Sequence, residues 1–289
     1  MSDKYKTIAF QGMTGAYSDL ACRTVFPDLE TLPCASFEDA FTAVREGTAD
    51  LAMIPIDNTI AGRVADVHHL MPDGELFIIG EHFQKIKHAL MGVKGAKLSD
   101  LKHVHSHIHA IPQCRKIIRE LSLTAHVHAD TAGAADEIAQ RGDKSHAAIA
   151  SSLAAEIYGL DILKEDVQDA HHNTTRFLIL APEPKIPDLG AHPDTVTSLI
   201  FAVRHIPASL YKCLGGFATN GLSLSKLESY VDENFQAAYF FCDVDGHYES
   251  PEFQRALEEL GFYARDVKFL GAYPAHPFRK KAATPNIEL

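Results

Sequence analysis

The sequence predicts an α/β protein in which two α/β lobes surround a cleft and a smaller, separate domain follows. Three observations predict it. Strand-like apolar runs alternate with turns and amphipathic helices from Thr7 to Leu180. A proline-rich stretch, Ala181 through Asp194, then breaks the rhythm. Beyond it, strand and helix signals come in the order βαββαβ, the split-βαβ or ferredoxin-like arrangement.

Thr7–Phe10 reads as a buried strand ending in the glycine turn Gln11–Gly15, and the helix behind it carries Tyr17, Leu20, Ala21 and Val25 on one face. Thr31–Cys34 is a short strand. Ser36 caps the next helix, with Asp39 at its third position. Phe37, Ala40, Phe41 and Val44 form that helix's apolar face, and Gly47 ends it. Leu51–Ile56 is a buried strand. After Gly80 come strands at Ala89–Val93, Val104–Ser106 and Ala125–Ala129, with helices starting near Ile111 and at Thr131. Ala147–Ala150 leads into the helix Ser152–Tyr158, and Thr175–Leu180 is a late strand. In the last domain Val196–Val203, Leu224–Tyr230, Ala237–Val244 and Val267–Gly271 are strands. Leu210–Thr219 and Pro251–Leu260 are helices, the second opened by its proline.

The 289 residues are 46% hydrophobic and 22% charged, ordinary for a soluble globular protein of two domains or one large one. No segment is long and apolar enough to span a bilayer. Met1–Lys6 runs into a strand without the apolar core of a signal peptide, so the expectation is a cytoplasmic protein. A formal net charge of -11 without a long Lys/Arg run argues against nucleic-acid binding. An anionic ligand would therefore need a site built locally against the overall field. Cys22, Cys34, Cys114, Cys213 and Cys242 show no CxxC spacing and read as reduced, mostly buried thiols, with neither a disulfide framework nor a zinc knuckle.

Four constellations could carry chemistry. The turn Gly12–Ser18, which includes Thr14, Gly15 and Ala16, opens a helix and offers backbone N–H groups to a carboxylate or phosphate. An ordinary tight βα turn is the other reading, and from local sequence alone it is the stronger one. Asp57, Asn58 and Thr59 stand just past the C-terminal end of a strand, where open parallel sheets bind ligands. An Asx turn or helix cap is the simpler account. His103, His105, His107 and His109 alternate, which invites a metal reading on one strand face. The second half of the segment leaves the strand and no cysteine or carboxylate completes a set, so no metal is expected there, and His68–His69 and His171–His172 are weaker still. Arg176 enters an apolar strand, where a guanidinium needs a carboxylate partner; an internal ion pair and a ligand site are equal readings.

Taken together these segments resemble the prephenate dehydratases. Ile8–Phe10 with Gly12, Gly15, Tyr17 and Ser18 is similar to the family's opening motif, and Ile54–Ile60 with Gly62 to its second. Ser106–His107 with Ala110, Gln113 and Cys114 is similar to its third. Ala148–Ser151, Tyr158–Leu160, Asp169, Asn173 and Thr175–Arg176–Phe177 resemble its signature. Leu210, Phe217, Gly221, Leu224, Leu227, Glu228, Ser229 and Leu270–Pro274 resemble the ACT regulatory domain. The sequence departs at Met13, where the family has Pro, at Ala16, Asp57 and Thr59, and in the effector segments, where Ala208–Ser209–Leu210 replaces Gly-Ala-Leu and Glu228–Ser229–Tyr230–Val231 replaces Glu-Ser-Arg-Pro. A Cβ in place of that glycine hinders close backbone approach.

The resemblance implies a periplasmic-binding-protein-like catalytic domain over 1–181, with lobes at about 1–80 plus 171–181 and at 81–170. A linker at 182–194, an ACT domain at 195–275 and a tail at 276–289 follow. It implies decarboxylating dehydration of prephenate to phenylpyruvate in phenylalanine biosynthesis, without cofactor or metal, in a homodimer or homotetramer. Thr175, Asn58 and Ser106 would be catalytic. Arg176, Phe177, Thr59, Thr14, Gly15 and Ala16 would bind substrate. Ala208, Ser209, Leu210, Glu228 and Ser229 would hold phenylalanine as effector. The alternatives are an arogenate dehydratase and a non-catalytic amino-acid or solute binder, since two lobes around a cleft also build such binders.

Overall fold

In the computed structural model, residues 4–282 are described, apart from Gly74, His171, Pro193, His205 and 232–236. His171 of the histidine candidates, Pro193 of the expected linker, the first three residues and the tail beyond 282 lie outside the described residues. The chain divides into two units, Met1–His68 with His82–Phe177, and His69–Glu81 with Leu178–Leu289.

The first part of the chain forms β1 (Thr7–Gln11), α1 (Tyr17–Val25), β2 (Glu30–Cys34), α2 (Phe37–Arg45), β3 (Leu51–Asn58), β4 (Gly62–Arg63), α3 (Ala65–Leu70) and β5 (Phe77–Lys85). Ile8, Ala9, Phe10 and Leu51–Ile54 have no exposed surface, as strands covered on both faces require. The expected cap of α2 is present: Ser36 Oγ accepts from Asp39 N at 3.0 Å, and Asp39 Oδ2 accepts from Ser36 N at 3.1 Å.

There follow β6 (Ala89–Gly92), β7 (His103–His107), α4 (Arg115–Glu120), β8 (Thr124–His128), α5 (Thr131–Arg141), β9 (His146–Ala150), α6 (Ser152–Tyr158), β10 (Asp161–Lys164) and β11 (Thr174–Ala181). Two sheets result, one ordered β2-β1-β3-β11-β5 with β4 on β3, the other β10-β6-β9-β7-β8. β1 runs parallel to β2 and β3, and β7 to β8 and β9, while β6 and β10 pair antiparallel. The helix expected near Ile111 is a 3₁₀ turn, Ile111–Gln113, and α4 starts at Arg115. Its start is fixed from a distance: the Asp169 carboxylate accepts from Arg115 N at 3.0 Å and Lys116 N at 3.1 Å. The strands β5 and β10 carry mixed polar sequences and gave no alternation signal.

The second unit contains β12 (Thr195–Val203), α7 (Ser209–Thr219), β13 (Ser223–Val231), β14 (Ala237–Asp245), α8 (Pro251–Tyr263), β15 (Ala264–Pro274) and α9 (Phe278–Ala282). The βαββαβ order stands, as an antiparallel sheet β13-β14-β12-β15. Leu199, Phe201, Phe217, Phe240, Phe253 and Leu260 form its core. Residues 69–81 belong to this unit through two local devices. Gly271 lies where a Cβ would stand 2.0 Å from Ile78 O, so only glycine fits. Arg279 Nε donates to Glu81 Oε1 at 2.6 Å and its Nη2 to Glu81 Oε2 at 2.9 Å, a forked pair whose carboxylate is fully buried.

A layer of imidazoles lies on one face of β7, β8 and β9, beside α5. His103 pairs with His126 at 3.1 Å and His105 with His146 at 2.9 Å, while His105 stacks on His126 and His103 on His146. Among the described residues no group of three or more His, Cys, Asp or Glu is arranged to hold a metal ion. An N–H···N bond between imidazoles holds one proton, and a second in the same gap charges one ring and sets two N–H groups against each other. Burial chiefly, with Glu137 opposing and the neighbouring His126, His146 and Arg141 adding to it, pushes His105 down to about 4. His146 is also lowered, by burial first and then Arg141 and His103, with Asp143 opposing. The unfolded chain thus binds protons that the folded chain refuses. The layer's contribution is full above the ordinary histidine pKa and falls as pH drops from about 6.5 towards 4. Urea midpoints should therefore fall between pH 6.5 and 5, above the carboxylate range, and His105→Asn should flatten that slope. An equal slope in both proteins would remove the layer as its cause.

Candidate functional site

The site is built where β3 ends beside the start of β11. Asn58 Oδ1 accepts two backbone hydrogen bonds, from Ile60 N at 2.9 Å and Ala61 N at 2.8 Å. Its amide orientation is thereby fixed, because turning it over would face NH₂ against two N–H groups. Both Nδ2 hydrogens are then directed across the strands, one to Thr175 Oγ1 and one to Asn173 Oδ1, each at 2.8 Å. Thr175 Oγ1 is an acceptor towards Asn58, which leaves its own hydrogen to be given elsewhere. Thr59 locks the same junction: its N donates to Thr174 O, its Oγ1 accepts from Thr174 N, and its Oγ1 donates to His172 O, all at 3.0 Å.

From Asn173 the chain of polar groups continues into the second lobe. Asn173 Nδ2 donates to Gln113 Oε1 at 2.5 Å, and His88 Nε2 lies 3.4 Å from that oxygen. His88 Nδ1 meets Tyr17 Oη at 2.7 Å, and Tyr17 Oη also stands 2.7 Å from Lys87 O. Burial pushes His88 down to about 4 despite its Gln113 contact, and raises Tyr17 well above its ordinary value. Both groups are neutral near pH 7. Neither Gln113, His88 nor Tyr17 stood among the expected site residues. Their one sequence signal was membership, for Gln113 and Tyr17, in the motif resemblance.

The remaining expected residues take other places. Ser106 has no exposed surface and donates its single hydroxyl proton to Ile149 O at 2.6 Å, so in this arrangement it can serve a ligand as acceptor only. Phe177 is 1% exposed and shares a strand face with Thr175, whereas Arg176, also buried, is turned to the other face by the two-residue period of β11. The turn before α1 joins the lobes. Tyr158 Oη donates to Thr14 O at 2.8 Å, and Ser151 Oγ donates to Gly15 O at 2.6 Å. Gly15 N donates to Asp19 Oδ2 at 2.8 Å and Ala16 N to Met13 O at 3.0 Å. The N–H that an anion would need at Gly15 is therefore given to the chain's own carboxylate. A Cβ at Gly15 would lie 3.1 Å from Ala154 Cα, and its φ of +90° also calls for glycine. Burial pushes the Cys114 thiol up to about 12, and Cys22 and Cys34 are raised too, which leaves these thiols protonated and weakly nucleophilic.

Residues 8–185 match the family model for prephenate dehydratase. The chain belongs to the prephenate dehydratase family. It is 49% identical over 278 residues to a protein of Komagataeibacter europaeus named bifunctional N-acyl-homoserine lactone acylase/prephenate dehydratase, covering 96% of this chain and 98% of that one. It is 39% identical over 287 residues to arogenate dehydratase/prephenate dehydratase 1, chloroplastic, of Arabidopsis thaliana, covering 94% of this chain and 73% of that one. Among solved structures, the prephenate dehydratase of Arthrobacter aurescens in complex with L-Phe matches with a TM-score of 0.85 at 30% identity, over 93% of this chain and 90% of that one. As a prephenate dehydratase homologue the chain has the expected α/β catalytic fold followed by a small antiparallel, ACT-like domain.

In that second domain a cavity of about 460 Å³ is lined by Val203, Arg204, Pro207, Ala208, Leu210 and Phe240, among others. Ala208 and Ser209 begin α7 there, and Ser209 Oγ is 2.9 Å from Ile206 O. Glu228 and Ser229 lie on β13, where Ser229 is paired opposite Phe240. Ala208 holds φ +63° and ψ 17°, the left-handed region. An L-residue there costs roughly 1–2 kcal/mol. Ala208→Gly should consequently stabilise the protein by about 1 kcal/mol, less what glycine loses in the unfolded chain. Urea unfolding checks it; a destabilised Ala208→Gly protein would mean that the alanine methyl contributes more than the strain costs.

Proposed function

We propose that this protein converts prephenate to phenylpyruvate, with Thr175 as the hydrogen-bond donor to the departing ring hydroxyl. The observation that carries the reading is the hydrogen bond from Asn58 Nδ2 to Thr175 Oγ1, on an Asn58 amide whose orientation two backbone N–H groups fix. Prephenate carries two carboxylates. In the reaction the ring carboxylate leaves as carbon dioxide, its bonding pair moves into the ring, and the C–O bond to the opposite hydroxyl breaks. One proton is consumed as the hydroxyl leaves as water. Negative charge grows on that oxygen before the proton arrives, and a preorganised donor lowers its energy. A threonine hydroxyl is too weak an acid to supply the proton outright at neutral pH, so its help is stabilisation of that charge.

Phe177 would shape the ring pocket from the same strand face. Asn58, Thr59 and Asn173 orient Thr175, and Ser106 would accept a hydrogen bond at the floor of the second lobe. The Gly12–Ala16 turn with Thr14, Gly15 and Ala16 would hold the two lobes in register around the substrate. Arg176 would meet a carboxylate past the start of β11, from the strand's other face. The five thiols suit a cytoplasmic location, phenylalanine would bind in the second domain near Ala208, and the active form would be a homodimer or homotetramer.

Arogenate is the second reading for the substrate, favoured by the Arabidopsis relative whose name includes both activities. The name of the Komagataeibacter relative adds an acyl-homoserine lactone as a third compound to test. Turnover of the three by the purified protein ranks them, and loss of reading one requires no phenylpyruvate from prephenate.

Thr175→Ala should lower kcat on prephenate by about 10²-fold or more, while Thr175→Ser retains most of it. Near-normal kcat in folded Thr175→Ala would take Thr175 out of the role. Arg176→Lys should raise KM with kcat little changed, since an ammonium cannot copy the guanidinium fork. An unchanged KM together with lost stability would make Arg176 a structural ion-pair residue.

A further inference from the structure

Behind Thr175 the donor and acceptor roles can be followed group by group, and the chain of assignments ends at an imidazole that has no part in the proposed chemistry. Asn58 Oδ1 is fixed by Ile60 N and Ala61 N, so its Nδ2 must donate to both Thr175 and Asn173. Asn173 Oδ1 is thereby an acceptor, and its Nδ2 must face an acceptor at Gln113. A turned-over Gln113 would set NH₂ against NH₂, so Oε1 must stay where it is. The other group near Oε1 is His88 Nε2, at 3.4 Å the longest link of the series. With hydrogen on Nε2 this contact is attractive; with a bare lone pair it is repulsive. At the far side of the ring the one Tyr17 hydrogen has two acceptors, His88 Nδ1 and Lys87 O, each 2.7 Å from Oη, and with Gln113 Oε1 a fixed acceptor beside Nε2 it goes to Nδ1. A phenol that donates to Nδ1 keeps that nitrogen bare and the proton on Nε2.

We infer that His88, held as its Nε2–H tautomer with Tyr17 donating to Nδ1, is a positioning residue that braces at its far end the Gln113–Asn173–Asn58 orientation which Ile60 N and Ala61 N set at the other, the one orientation that leaves the Thr175 hydroxyl free to donate. The inference rests on the role of Thr175 proposed above. His88 is 3% exposed, so no solvent competes for its nitrogens, and its backbone N is fixed by Gln168 Oε1 at 2.8 Å. Tyr17 and His88 also meet edge-to-face, with ring centroids 5.4 Å apart, which holds the two rings in register. Lys87 O, 2.7 Å from Tyr17 Oη, is the second acceptor for the phenol hydrogen. When the ring takes a second proton, Nδ1–H points at the Tyr17 oxygen and the phenol hydrogen turns to Lys87 O. Nε2–H faces Gln113 in both states, so the amide orientation survives protonation. Amide side chains do not pass protons along, and the assignment is one of orientation, not of proton supply.

Two measurements test this and separate it from the reading it rests on. Two-bond ¹H–¹⁵N spectra of the wild-type protein at pH 7 should show His88 as the neutral Nε2–H tautomer, shifting towards Nδ1–H in Tyr17→Phe. An Nδ1–H tautomer in the wild type overturns the inference whatever the substrate is. In prephenate turnover, His88→Met should lower kcat by about tenfold, the scale on which one hydrogen bond acts. KM should stay within about twofold, and His88→Gln, which can again present N–H to Gln113, should recover most of the rate. Tyr17→Phe, the mildest change, should lower kcat in the same sense and add nothing in combination with His88→Met. Wild-type kcat in both His88→Met and Tyr17→Phe, or full additivity of the pair, overturns the inference. Absence of prephenate turnover by the wild type overturns the proposed function and leaves the tautomer measurement standing.

Discussion

The structure of the site depends on the side-chain amide of Asn58. Two backbone N–H groups hold its oxygen, and that constraint fixes every polar atom downstream of it. The constraint in turn demands a fold. Asn58 must stand at the end of β3, Thr175 must enter on the neighbouring strand β11 with Asn173 just before it, and Gln113 must arrive from the 3₁₀ turn after β7. Asp169, between β10 and β11, supports Gln113 as well, its N donating to Gln113 O at 2.6 Å while its carboxylate caps α4.

A chain of neutral amides, one imidazole and one phenol is a reasonable material for a dianion's site in a protein of net charge -11. It directs hydrogen bonds without adding carboxylates that would repel the ligand. The cost is sensitivity, because a buried network is stable only when each member is satisfied. The lobe junction follows the same logic. Ser151 and Tyr158 satisfy the carbonyls of Gly15 and Thr14, and Asp19 takes the Gly15 N–H, so the polar groups of the glycine turn are satisfied within the chain.

Much of this was legible in the sequence. The βαββαβ domain, the capping box at Ser36 and the buried strands β1, β3, β9 and β11 follow from periodicity and turn chemistry. The parts that were not legible share a cause: they depend on partners far along the chain. α4 starts where Asp169 caps it, so local sequence placed the helix too early. β5 and β10 are held by sheet neighbours and not by an alternation of their own. At the site, Thr175, Asn58 and Asn173 stand within recognisable motifs, yet the direction of their hydrogen bonds comes from a separation of 115 and 117 residues between strands. Ser106 matched a motif, but its proton belongs to Ile149 O. Arg176 follows Thr175 directly, and the strand's period puts the two on opposite faces.

The central claim is that Asn58 donates to Thr175 and so sets the direction of the threonine hydroxyl. Asn58→Asp tests it most directly. The carboxylate keeps an oxygen for Ile60 N and Ala61 N, so the turn persists, but it has no hydrogen to give to Thr175. Steady-state kinetics on prephenate should show a fall in kcat of about 10²-fold in Asn58→Asp protein that still folds, with some loss of stability because an oxygen then faces Asn173 Oδ1. An Asn58→Asp protein that turns prephenate over at the wild-type rate would contradict the account.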